Sequence, residues 1–429
     1  MNKKVKCLSA LALSALLTAG LAGCGSKTDT ANGNSGSQKI TLKLWDIYTA
    51  QDANTQSFQQ ALKDWNDANP NVQIEAEATE NEAYKTKIKT AVSANEAPDI
   101  FFAWGAGFAQ PFVDAGKVLA LDDYLTDGTK DKLAGGTLTY LTYNNKVYAL
   151  PFVSSAGIFY VNKEMFDKNN IKIPETFDEL LTAVKAFRAK GITPFAVGEK
   201  DKWPGMFYYD ILAMRQGGSK LSNDALAKKA SFEDPAFVEA ANKLKQLIDA
   251  GAFDEAALGL TRDESEVPFT QGQIPMYYNG SWVAGSIDKD GSAVKGKIQA
   301  LNFPVLTDGK GDKDEILGGS VDSFWVNANT KHKEEAVKAL KFLMEDFGKY
   351  EYVNGAGISA WKVSVDESKI SDLTKQISAI IQKSKGNTVW WDTYLSGADA
   401  DVHKDLVAKL FGKQITPQDF AKQMQAINK

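Results

Sequence analysis

The chain has 429 residues, of which 44% are hydrophobic and 24% charged, enough for two domains with their own cores and too apolar for a largely disordered chain. Its formal net charge is −5, and only three arginines (Arg188, Arg215, Arg262) stand among the basic residues. Without a basic surplus, and with few of the guanidinium forks that grip phosphate, it is no nucleic-acid or polyphosphate binder.

The N-terminus carries a local signal. Lys3, Lys4 and Lys6 precede an apolar run over residues 8–21, too short to span a bilayer comfortably. The run closes on Leu21-Ala22-Gly23-Cys24, which resembles a bacterial lipobox. Residues 1–23 are therefore expected to be a signal peptide, and Cys24 a lipidated first residue anchoring the chain outside the cytoplasm. The only other cysteine is Cys7, so the mature chain would keep no thiol for catalysis, zinc or disulfides. Residues 24–38, polar and rich in glycine and serine, read as a flexible tether.

Folded structure is expected from Lys39. Residues 40–45 alternate as a strand. Phe58, Leu62 and Trp65 fall at helical spacing, and that helix stops at Asn69-Pro70. Residues 72–76 read as a second strand, Tyr84, Ile88 and Val92 mark a second helix, and 98–102 a short buried strand. This β-α-β-α-β series predicts a parallel sheet flanked by helices. Segments 140–143 and 146–150 flank Asn144-Asn145, a hairpin signal, and Pro151 breaks the pattern.

A second alternation follows. Residues 158–161 read as a strand, 177–187 as a helix opened by Pro174-Glu175-Thr176, and 193–197 as a strand. A helix over 236–250 turns Leu244, Leu247 and Ile248 inward. Strands are expected at 274–278, 298–303 and 323–326, and a helix at 334–345. No short repeat marks a solenoid.

An ordered series of short motifs runs through these elements. It comprises Ala97-Pro98-Asp99-Ile100, Tyr148-Ala149-Leu150-Pro151, Phe159-Tyr160-Val161-Asn162-Lys163 and Pro174-Glu175-Thr176-Phe177. Gly272-Gln273-Ile274-Pro275-Met276, Asn279-Gly280-Ser281-Trp282 and Gly318-Gly319-Ser320 follow. In this order, from about Lys39 to the C-terminus, the chain resembles the family 1 extracellular solute-binding proteins of ABC importers, the group that includes maltose-binding protein. The resemblance implies an α/β, two-lobed periplasmic-binding-protein fold of type II-like form, with a ligand cleft between lobes that close by a hinge. One lobe would hold 39–150 and 320–356, the other 151–319 and 357–429. It also implies a monomer that captures a carbohydrate and passes it to membrane permease subunits, without cofactor, metal or catalysis.

Sugars show apolar C–H faces rimmed by hydroxyls, so stacking rings beside carboxylates, amides and hydroxyls are the groups to seek. The chain has nine tryptophans. Trp65 and Trp325 read as core, and Trp45 is left open. Trp104, Trp203, Trp282, Trp361, Trp390 and Trp391 fall near strand ends or in expected loops and are candidate stacking groups. In the family, counterparts of Trp282 and of one of Trp390 and Trp391 stack on sugar. Candidate polar partners are Asp46 and Tyr48 after the first strand, Glu80 after the second, and Ser154 and Ser155 after Pro151. Maltose-binding protein has a carboxylate where these serines stand. Tyr208, Tyr209 and Asp210, near Trp203, and Asp322 complete the set.

Three alternatives stay open. A polyamine or other organic solute would also suit aromatics beside carboxylates. A glycosidase needs two facing carboxylates, and nothing singles out a pair. A metal binder has little to work with, since only His332 and His403 offer imidazoles and no motif has ligand spacing.

Overall fold

A computed structural model describes residues 39–50, 52–395 and 397–428. The expected signal peptide, lipobox and tether lie outside the described residues. Among those described, no helix is long and apolar enough to cross a membrane.

The alternation at the start of the fold becomes a sheet. Strand Ile40–Asp46 pairs in parallel with Val72–Ala78 on one side and Ile100–Trp104 on the other. Strand Asp322–Val326, from much later in the chain, adds antiparallel to Ile100–Trp104, and Ala149–Pro151 closes the order. Helix Thr55–Ala68 buries Phe58, Ala61 and Trp65, positions three to four apart, against this sheet and against helix Lys333–Asn354. Trp65 and Trp325 sit in the core, their indole N–H groups donating to the carbonyls of Val72 (2.9 Å) and Ala103 (3.2 Å). Trp45 packs outside, with the Lys87 ammonium 4.0 Å from its ring centre. Asn144 and Asn145 both take positive φ, 49° and 62°, and join strands Thr142–Tyr143 and Lys146–Val147 as the hairpin signal predicts.

The second sheet is built on strand Val153–Asn162, buried at every position but Ser154. Strands Met276–Gly280, Glu315–Gly319, Ile298–Leu301 and Ile358–Ser359 all pair antiparallel to it. Gly386–Thr388 and Phe195–Ala196 extend the edges. Helix Phe177–Ala189 opens with a reciprocal cap, Thr176 and Glu179 each accepting the other's backbone N–H at 3.3 Å. Helices Trp203–Gly217, Pro235–Asp249, Gly397–Phe411 and Pro417–Ile427 pack as one layer beside this sheet. Only the second of these four is foreseen by apolar spacing. The first is buried over nearly its whole surface, so it shows no periodicity to read.

The molecule is thus two α/β lobes joined by short crossings. Pro151 ends a strand of the first sheet and Val153 begins the central strand of the second. Gly319 ends a strand of the second sheet and Asp322 begins one of the first. Helix Lys333–Asn354 stops at Gly355, whose φ of 80° suits a residue without a side chain, and Ile358–Ser359 then joins the second sheet. The first two crossings are tied together, with Ser154 Oγ 2.5 Å from Ser320 Oγ.

Candidate functional site

A groove runs where the lobes face each other. Its lining comes from strand ends and helix starts of both sheets, where open α/β folds place ligands. In the second lobe four rings form one continuous wall. Phe207 and Trp390 stack with centres 4.2 Å apart and planes 15° from parallel. Trp282 meets Trp390 at 5.7 Å, and Trp203 meets Phe207 at 5.1 Å and Trp282 at 6.3 Å. From the first lobe Trp104 faces the groove, set edge-on against Phe102 at 4.8 Å and Phe108 at 5.0 Å.

Local backbone explains the wall. Trp282 follows Gly280, and its ring folds back over that glycine. A Cβ at position 280 would lie 2.2 Å from the indole, so only glycine lets the ring lie there. Trp203 opens its helix with Pro204 next, a fixed φ suited to the first turn.

The polar groups lie beside the rings. Register pairs Asp322 with Trp104, and Asp322 Oδ2 accepts a hydrogen bond from Ser155 Oγ at 3.2 Å. Tyr48 lines the groove with its hydroxyl buried and, among the described residues, without a hydrogen-bond partner. Arg262, in the second lobe, reaches Asp52 of the first at 3.6 Å and Glu266 at 3.2 Å. Asp52 itself accepts from Asn54 N at 2.8 Å, which fixes its carboxylate at the groove.

Burial pushes the Asp322 carboxyl up to about 6; Ser155 draws it down, and Asp52 and Asp392 push it further up. A folded value above the ordinary 3.8 means the folded state holds this proton more tightly than the unfolded chain. That stabilisation is complete below the ordinary value and is lost as pH rises through about 6. Asp322→Asn should therefore raise stability at pH 7.5 by about 1–2 kcal/mol and change it little near pH 4, as urea unfolding at the two pH values would show.

Of the residues singled out in the sequence, Tyr48, Trp104, Ser155, Trp203, Trp282, Asp322 and Trp390 line this groove. Glu80 lines a cavity that opens from it, and also caps helix Asn81–Ala94 by accepting Glu82 N at 3.1 Å. The others are corrected. Asp46 is the last residue of its strand, 2% exposed, and its carboxylate accepts Tyr48 N at 2.8 Å behind the groove. Ser154 is spent on Ser320 at the crossing. Trp361 donates to the Pro151 carbonyl at 2.8 Å and is buried against the crossings.

Tyr208, Tyr209 and Asp210 are expected near a loop, but they lie in helix Trp203–Gly217 and are fully buried. Tyr208 bonds the Ala196 carbonyl (3.0 Å), and Asp210 bonds His403 Nε2 (2.9 Å). Trp391 is fully buried too, stacked on His403. The groove also has lining that the sequence reading missed, notably Phe207, Asp52, Asn81, Lys404 and Arg262. Arginine is scarce here, so Arg262 carries a signal in its rarity alone.

Comparison with known proteins places the architecture. A family model described as bacterial extracellular solute-binding protein matches residues 50–347. The multiple sugar-binding protein of Streptococcus mutans is 25% identical over 385 residues, covering 87% of this chain and 86% of that protein. A solved structure from work on xylan utilization by the thermophilic bacterium Caldanaerobius polysaccharolyticus is 52% identical, with a TM-score of 0.88 over 90% of this chain and 99% of that one. A chitin oligosaccharide binding protein is 26% identical, with a TM-score of 0.82 over 91% and 98%. The matched segment runs through both sheets and supplies most of the groove, and the chain accordingly belongs to the bacterial extracellular solute-binding protein family.

Proposed function

We propose that this protein captures an oligosaccharide derived from xylan outside the cytoplasm and delivers it to the permease of an ABC importer. The observation that carries this reading is the ring wall of Trp203, Phe207, Trp282 and Trp390 facing Trp104 across a groove rimmed by Asp52 and Asp322. Flat pyranose faces lie on indoles, and hydroxyls give protons to carboxylates. The breadth of the wall favours several sugar units over one. The xylan-related structure at 52% identity supports the choice of sugar.

In this reading the ligand-binding set is Tyr48, Trp104, Ser155, Trp203, Trp282, Asp322 and Trp390, with Glu80 at the margin. The lobes divide as 39–150 with 320–356 and 151–319 with 357–429. They rotate about the crossings at 151–153, 319–322 and 355–358. Ligand touches both lobes, so its differential affinity moves the population toward the closed form. Cys24, lipidated after removal of residues 1–23, would hold the domain at the membrane through residues 25–38.

A thermal-shift screen tests the reading. Linear xylose oligomers should raise the melting temperature, because a ligand that binds only the folded state stabilises it. At a hundredfold excess over Kd the gain is about 2.7 kcal/mol. The radius of gyration in solution should fall on saturation. A shift by a polyamine and by no sugar would overturn the proposal, as would sustained release of reducing sugar.

A further inference from the structure

The groove does not end at its aromatic wall. A second cavity, open to solvent, continues from it. The two share Asp52, Arg262 and Trp203 among their lining, so the ion pair between Asp52 and Arg262, which links the lobes, stands at the junction. Beyond that junction the chemistry changes. Among the described residues, Trp203 is the single aromatic one lining this vestibule, and it is borrowed from the inner chamber. The walls added there include Glu80, Lys200, Thr261, Asp263 and Asp405.

Past Trp203, such walls offer no ring face on which a sugar can stack. They do offer donors and acceptors in close alternation, which suits hydroxyl groups. Their charge is unequal, with seven carboxylate side chains against four cationic ones among the described residues. Three of the cations are also held by acids, Arg262 by Asp52 at 3.6 Å and Asp263 at 3.0 Å, Lys202 by Asp405 at 2.5 Å and Lys404 by Asp401 at 3.2 Å. An anionic group entering this space meets a negative excess within a Debye length.

We propose that the vestibule is a second binding compartment of the groove, one that takes the further units of an uncharged oligosaccharide by hydrogen bonds alone and rejects chains bearing uronic acid. This rests on the carbohydrate reading above and adds to it a limit on length and charge. Stacking in the inner chamber supplies most of the affinity. Units that reach past Asp52 and Arg262 add small increments, each the size of a net hydrogen bond.

The test is calorimetric titration of the full chain with linear β-1,4-linked xylose oligomers of two to six units, and with an oligomer of matched length carrying one glucuronic acid. Affinity should go on rising by roughly threefold to tenfold after the steep initial increase with length. Lys200→Ala should remove much of that late rise and leave the disaccharide unchanged. The acidic oligomer should bind about tenfold more weakly than its neutral counterpart, and the gap should narrow in high salt. Asp401→Asn with Asp405→Asn, one exposed and one half-buried position, should also narrow it. A flat affinity beyond the steep rise, or equal binding of acidic and neutral oligomers, would overturn the inference. Binding by no oligomer of any length would overturn the carbohydrate reading and this inference with it.

Discussion

Trp282→Ala should weaken oligosaccharide binding by about 1–3 kcal/mol, the range for removing a central aromatic contact from a desolvated site. The residue suits the test because its ring lies over Gly280 and touches Trp203, Phe207 and Trp390 at the groove surface. Removing it opens the wall while the strand Met276–Gly280 keeps all its pairing partners. Calorimetric titration should show the loss, and the melting temperature without ligand should move little. Wild-type affinity in this variant would remove Trp282 from the site and take away the centre of the proposed ring wall.

Trp391→Ala should do the opposite, costing about 3–5 kcal/mol of stability, as truncation of a large buried aromatic does. Trp391 is completely buried and stacks on His403, with centres 5.2 Å apart. Tyr209, Phe232 and Phe237 meet it at 5.6 to 5.9 Å. Its loss leaves a cavity that four packed helices cannot readily fill. It also uncovers the Asp210–His403 bond at 2.9 Å. Burial holds His403 down to about 3 and pushes Asp210 upward, so the low-dielectric surroundings disfavour charge on both. Urea unfolding should show the lower midpoint. Whatever fraction stays folded should bind ligand with nearly unchanged affinity. A stable Trp391→Ala chain with weakened binding would mean that the indole faces the ligand after all.

These two variants separate residues that the sequence treats alike. Trp390 and Trp391 are neighbours in the same short segment, and nothing local tells which one faces the groove. In the structure Trp390 lies on Phe207 at the groove and Trp391 turns into the helical layer behind it. The choice is made by helices Trp203–Gly217 and Gly397–Phe411, which come from distant parts of the chain. The triplet Tyr208, Tyr209 and Asp210 is not placed by its sequence for a related reason. A helix buried on all sides has no polar face, and Trp203-Pro204-Gly205 looks like a turn when it is in fact a first helical turn.

Alternation and helical spacing are local properties, and they were enough to mark the parallel start of the first sheet, the core positions of Trp65 and Trp325 and the hairpin at Asn144-Asn145. The order of motifs was enough to indicate the family and its two-lobed form. Tertiary structure alone decided which rings share a wall and which carboxylates stand beside them. A groove is assembled from segments such as 48–54, 203–207, 262, 282, 322 and 390. Its geometry depends on packing between distant parts of the chain, and no stretch of neighbouring residues contains that information.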